Sequence, residues 1–204
     1  MEGGAEMKQF SNRYMLLYSL ALVAVSAVVL SVTAVTLKPR EERNRQIEQQ
    51  QMILKTIGLD CAKNETAQAY ERHIAEAEHD GKTYYRYDCD ERQGIILPLH
   101  GTGLWGPIWG YLALDCSGNV VGAVFDHKGE TPGLGGEIAT DKFAQRFVGK
   151  RMDEHPIYLI KNADKKDPHQ VDAISGGTMT SNGVPQMLEG GYNDYIKIRE
   201  DATK

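Results

Sequence analysis

The stretch W-G-Y-L-A-L-D-C-S-G-N-V-V-G-A-V-F, residues 109–125, decides the fold. Two strand-like segments, 109–116 and 120–125, flank Ser117-Gly118-Asn119, the pattern of a β-hairpin with a glycine-containing turn. Toward the N-terminus, residues 94–99 form another apolar run, and residues 82–89 hold three tyrosines and a threonine, side chains that suit a pleated surface. The centre of the chain therefore reads as an antiparallel sheet. Toward the C-terminus, a glycine-rich loop at 129–136 precedes Ile138, Phe143, Phe147 and Val148, which recur near helical spacing and predict a helix over 138–148. Residues 157–160 read as a further strand. A last helix is expected from near Asn182, with Pro185 in its first turn and Val184, Leu188, Tyr192 and Tyr195 facing inward. This order of elements gives an α+β class rather than a doubly wound α/β sheet.

Residues 14–37 are a 24-residue run without a charge, rich in Leu, Val and Ala. As a helix rising about 1.5 Å per residue it would reach roughly 36 Å, enough for a hydrocarbon core of about 30 Å. A cleaved signal peptide has an apolar core of about 7–15 residues and ends at a small-residue site; this run is longer and continues past the Ala-Val-Ser-Ala at 24–27. The expected organisation is an N-terminal cytoplasmic segment at 1–13, a transmembrane helix at 14–37, a helical stalk at 38–59 and one domain at 60–204. The stalk is rich in Gln, Glu and Arg, with Ile47, Ile53, Leu54 and Ile57 mostly on one stripe that would dock onto the domain. Lys8 and Arg13 precede the apolar run, whereas Lys38, Arg40, Arg43 and Arg45 follow it, so the positive-inside count alone would put the domain in the cytoplasm.

With 41% hydrophobic and 25% charged residues the chain is neither disordered nor collagen-like, and a net charge of −5 offers no footprint for nucleic acid. Cys61, Cys89 and Cys116 fit no zinc spacing. In an oxidising compartment Cys61 with Cys89 is one candidate disulfide; three buried, unjoined thiols is the other reading. Asn64-Glu65-Thr66 matches a glycosylation acceptor, a pattern so short that it is usually chance.

Chemistry concentrates in three glycine-rich segments. Asp172-Ala173-Ile174-Ser175-Gly176-Gly177-Thr178-Met179-Thr180-Ser181 puts four hydroxyls and two glycines just before a helix, whose N-terminus favours an anion. The run lacks the lysine of a Walker loop and the downstream acid of a dinucleotide fingerprint, and on composition alone it is also simply a capped helix. The second segment, 127–137, carries His127, Glu130, Thr131, Gly133, Leu134 and Glu137 in a loop whose Gly and Pro content demands special backbone angles. His127 reads as a loop-ordering or surface residue, and Glu130 and Glu137 as solvated carboxylates. The third, 101–110, holds Leu104, Trp105 and Trp109 among glycines, which suits a flat aromatic ligand or an ordinary core contact.

These residues resemble the FMN-binding domain family. The S-G-G-T-M-T-S run at 175–181, with Asp172 ahead of it, is similar to the family's S-G-A-T motif, in which the threonine carries FMN through a phosphoester; here that residue is Thr178, and Gly177 stands where the family has Ala. G-x-G-L-W at 101–105 and G-E-T-P-G-L-G at 129–135 look like the rest of the same pocket. N-R-Y-M-L-L-Y-S at 12–19 and L-K-P-R-E-E-R-N at 37–44 resemble the C subunit of sodium-translocating NADH:quinone oxidoreductases, so the likeness spans almost the whole chain.

The resemblance implies covalent FMN, one per chain, attached by a separate flavin transferase. Ser175, Gly176, Gly177, Thr180 and Ser181 would surround the phosphate, Asp172 would serve recognition or activation, and Leu104, Trp105, Thr131, Gly133 and Leu134 would border the ring. Glu130 would tune the ring by charge. It further implies an electron-relay subunit, inactive alone, in a sodium-pumping complex of the bacterial inner membrane, its domain on the periplasmic side. The G subunit of the related ferredoxin:NAD oxidoreductase shares the same motif, and a membrane-anchored binding or assembly protein without flavin is the reading from a different class.

Overall fold

The structure, a computed structural model, describes residues 11–89, 92–174 and 178–202; at 178–182 and 201–202 it describes the backbone alone. The chain divides into two compact units, residues 1–46 and 47–204. In the first unit a helix, α1 (Asn12–Thr56), begins and continues into the second. Its apolar residues from Tyr14 to Leu37 are exposed, and it is long and apolar enough to cross a membrane. Ser19, Ser26 and Thr33 each donate their hydroxyl to the carbonyl four residues back at 2.8 Å, so these polar groups are satisfied within the helix. Pro39 lies inside α1, where it lacks the N–H that would bond the Val35 carbonyl.

The second unit is built on a five-stranded antiparallel sheet in the order β1-β2-β3-β4-β5: β1 (Ile74–His79), β2 (Lys82–Cys89), β3 (Arg92–Thr102), β4 (Pro107–Asp115) and β5 (Val120–His127). Alternation along β3 and β4 sends residues to opposite faces. Leu97, Leu99, Leu112 and Leu114 join one core; Ile96, Tyr111 and Ala113 join another. The end of α1 (Ile53, Leu54) and α2 (Thr66–His73) contribute to the Ile96 core, together with Tyr85 and Tyr87. The other core takes a 3-10 turn (Gly135–Ala139), α3 (Asp141–Ala144) and the long α4 (Thr178–Ala202) through Ile138, Phe143, Phe147, Val184 and Leu188. With both faces covered, β4 is buried almost throughout, which explains why residues 109–114 show no alternation with charged residues.

The hairpin at 109–125 is present, with Gly118 at φ +80° and Asp115 at its base. Asp115 accepts the main-chain N–H groups of Ser117 and Asn119 and the Asn119 side-chain amide, each at 2.8 Å. Partial burial opposes its ionisation, but these three donors and the Arg151 charge outweigh it and hold the carboxyl below its ordinary range.

Several expectations are corrected. Residues 138–148 are not one helix: Thr140, extended at φ −84° and ψ 144°, ends the 3-10 turn and caps α3 by accepting the Phe143 N–H at 3.3 Å. The apolar spacing there reported burial of Ile138, Phe143 and Phe147, not helical continuity. The last helix starts at Thr178, about a turn before Asn182, so Pro185 lies in its interior. α2, β1 and β7 (Gln170–Asp172), which pairs in parallel with β6 (Tyr158–Ile160), have polar sequences that gave no signal. No disulfide joins the cysteines: Cys61 is half-buried, Cys89 buried and Cys116 exposed.

Candidate functional site

The glycine-rich segments meet through backbone approaches that a side chain would block. The β3–β4 hairpin tip is closed by the Gly103 N–H donating to the Gly106 carbonyl at 2.8 Å. A Cβ on Gly106 would collide with the Lys128 carbonyl oxygen, so the tip lies directly against the segment leaving β5. The Lys128 N–H donates to the Pro107 carbonyl at 3.0 Å, extending the β4–β5 pairing by one step. At the end of β3 that leads into this tip, a Cβ on Gly183 of α4 would strike the Thr102 carbonyl oxygen, and one on Gly101 would lie 3.0 Å from Met187 Cβ. The first turns of α4 are therefore seated on the strand that leads into the hairpin tip.

Glu130 joins the two loops. It is 4% exposed, and its Oε1 accepts the main-chain N–H of Trp105 at 2.8 Å. The solvated-carboxylate expectation for Glu130 is thus overturned: sequence shows a polar residue in a Gly-Pro loop, but not the donor waiting for it in another loop. His127 has the loop-ordering role expected of it, its Nδ1 accepting the Glu130 N–H at 3.2 Å. Gly133 takes φ +74°, and the N–H groups of Leu134 and Gly136 donate to the Thr131 carbonyl at 3.1 and 3.0 Å.

These rigid loops carry side chains that the core does not cover. Trp105 is 69% exposed, Leu104 52% and Leu134 45%, with Thr131 and Gly133 also at the surface. Large apolar groups left in water on hydrogen-bonded loops form a surface suited to a flat apolar ring.

Asp172 ends β7. Its Oδ1 accepts the Ala163 N–H at 2.8 Å, so the carboxylate is engaged in holding the preceding turn. Arg146, which the sequence reading missed, donates from Nη1 to the carbonyls of Asp172 at 2.8 Å and Ala173 at 3.2 Å. It also lies 5.5 Å from the centroid of the Phe143 ring. Nothing in the sequence around Arg146 announces this, because its partners are main-chain atoms some 26 residues away. Ser175, Gly176 and Gly177 lie outside the described residues, as do the side chains of Thr178, Thr180 and Ser181, whose backbone forms the start of α4. Among the described residues no group of acidic, histidine or cysteine side chains is arranged to hold a metal.

A separate cleft of about 910 Å³ is lined by residues of β1–β4, α4 and the end of α1, among them Tyr84, Tyr85, Tyr111 and Gly191. Its Lys82 and Lys197 are matched to Asp194 at 2.6 Å and Asp80 at 3.7 Å. Burial pushes the Tyr111 hydroxyl up to about 12, so it stays neutral.

Comparison with known proteins places this geometry. Residues 103–193 match the FMN-binding domain family, a span that opens at the hairpin tip and runs through the 129–136 loop into α4. The crystal structure of the C subunit of the Na(+)-translocating NADH-quinone reductase from Parabacteroides distasonis superposes with a TM-score of 0.70 at 32% identity, over 79% of this chain and 96% of that one. The C subunit of the same enzyme from Vibrio alginolyticus is 28% identical over 83% of this chain and 86% of its own length. That from Yersinia pestis is 39% identical, over 58% of this chain and 49% of its own. At 32% identity over 96% of a solved C subunit, and with residues 103–193 matching the FMN-binding domain family, the chain belongs to the family of C subunits of the Na(+)-translocating NADH-quinone reductases.

Proposed function

We propose that the chain is the electron-relay subunit of a sodium-pumping NADH:ubiquinone oxidoreductase and carries FMN as a phosphoester of Thr178. The observation that supports this most is the exposed set Leu104, Trp105 and Leu134, held on two interlocked loops inside the span that matches the FMN-binding domain family. The bound flavin would supply reversible electron storage.

The chain's own residues have three tasks. Thr178 would provide the hydroxyl that carries the FMN phosphate, and a flavin transferase would have to take its proton, since an unassisted alcohol is too weak a nucleophile. Ser175, the Gly176 and Gly177 amides, Thr180, Ser181 and the α4 N-terminus would satisfy the remaining phosphate oxygens. The Asp172 carboxylate, already accepting from Ala163, fits recognition of the segment better than base catalysis. Leu104, Trp105, Thr131, Gly133 and Leu134 would border one edge of the ring and leave another open to neighbouring subunits.

In this reading residues 14–37 span the inner membrane and the domain lies on the periplasmic side. The partners are the other subunits of the complex, the transferase during maturation, and the lipid bilayer. The test uses the purified full chain carrying FMN. It should be bleached by dithionite yet turn over NADH negligibly without its partners; rapid NADH oxidation by the chain alone would contradict a relay.

A further inference from the structure

We infer that Glu130 is a positioning residue, which sets the ring-bordering surface through the main chain of Trp105 rather than by touching the cofactor. The inference rests on the FMN reading above. The side chains of Leu104 and Trp105 are largely in water, so core packing does not decide where they stand. Their position is inherited from the backbone of the tip. That backbone is closed on itself by the Gly103–Gly106 hydrogen bond and anchored from outside by the Glu130 carboxylate on the Trp105 N–H.

Two details show that the tip and the carboxylate are fitted to each other. A Cβ at Gly103 would collide with Glu130 Oε1, so the carboxylate occupies the space left by the missing side chain. The Glu130 N–H is bonded to His127 Nδ1, which ties the residue to the end of β5, where His127 pairs with Ile108 of β4 in the sheet. An apolar side chain of the same size would fill the space without desolvating a carboxylate, but would leave the Trp105 N–H without this acceptor. A charged acceptor makes the stronger hydrogen bond, and anchoring the backbone beneath two exposed side chains is the kind of preorganisation that a ring-binding surface needs.

The test compares Glu130→Ala, Glu130→Gln and Gly103→Ala in the purified full chain. Hydrogen exchange of the Trp105 amide is followed without flavin; fluorescence anisotropy of the ring is followed after maturation. Glu130→Ala should speed exchange at this amide by on the order of tenfold or more. It should also lower the anisotropy, while the flavin survives denaturation on the chain because Thr178 holds it. Glu130→Gln keeps an acceptor oxygen and should restore most of both. Gly103→Ala, which displaces the carboxylate, should reproduce the loss if Glu130→Ala does not fold. Unchanged exchange in Glu130→Ala, or a folded Glu130→Gln as loose as the alanine variant, would overturn the inference. A wild-type chain that never takes up flavin would instead refute the FMN reading, and the exchange measurement tells the two failures apart.

Discussion

Gly183 of α4 lies so close to the carbonyl of Thr102 that no Cβ fits between them: the added atom would also come within 3.1 Å of the carbonyl carbon and 3.3 Å of Ile108 Cδ1. The start of the helix that follows the attachment motif is thereby joined to the strand that leads to the Leu104–Trp105 tip. Gly183→Ala should destabilise the domain by about 1–3 kcal/mol through overpacking against backbone that cannot yield. Gly190→Ala, seven residues along the same helix and with nothing within 4 Å of its Cβ position, should stabilise by about 0.5–1 kcal/mol because alanine is the better helix former. Thermal melting of both variants checks the pair; equal effects would mean that α4 does not sit on β3 as described.

Trp105→Ala should barely change stability, within about 0.5 kcal/mol, because the side chain is mostly in water. Its effect should fall on the flavin: emission from the native, matured chain should rise as the quenching indole is lost, with the same amount of flavin on the denatured chain. Quantum yields of the two proteins check this. Identical emission would remove Trp105 from the ring's border.

Asp115 predicts a pH dependence. Its folded value is lowered, so its stabilisation is present above the ordinary 3.8 and is lost as pH falls through the folded value, where native and unfolded chains become equally protonated. Asp115→Asn should therefore cost roughly 1 kcal/mol near neutral pH, allowing for solvent screening of a partly exposed turn, and progressively less under acid. Melts of both proteins across the acid range check the sign: a gap that widened on acidification would contradict the hydrogen-bond account.

The periplasmic placement is the prediction that the charge count opposes, with Lys38, Arg40, Arg43 and Arg45 after the apolar run. Protease added to intact spheroplasts should digest the domain. Its protection until the membrane is broken would reverse the topology.

What could be read from the sequence follows from where the physical signal is local. The strands at 82–89 and 94–99 and the hairpin at 109–125 are legible because Tyr, Val and Leu recur in short runs bounded by turn residues, and these runs face two apolar cores. β1, with Glu76 and Glu78, is an edge strand whose residues are largely exposed, so its composition resembles a loop. The site divides in the same way. Leu104, Trp105 and Leu134 stand out as apolar residues among glycines, whereas the burial of Glu130 and the bonds of Arg146 arise from main-chain groups brought near by the fold. A one-residue signal such as Thr140, which splits 138–148, is overruled in any periodicity window by the phenylalanines around it.

The central claim is a covalent flavin on Thr178. The most direct measurement is in-gel fluorescence and peptide mass analysis of the denatured full chain, coexpressed with a flavin transferase, for wild type, Thr178→Ala and Thr180→Ala. The account predicts one FMN on the peptide containing Thr178 in wild type and in Thr180→Ala, and none in Thr178→Ala. Flavin that survives denaturation in Thr178→Ala and disappears in Thr180→Ala, or a wild-type chain that takes up none, would contradict it.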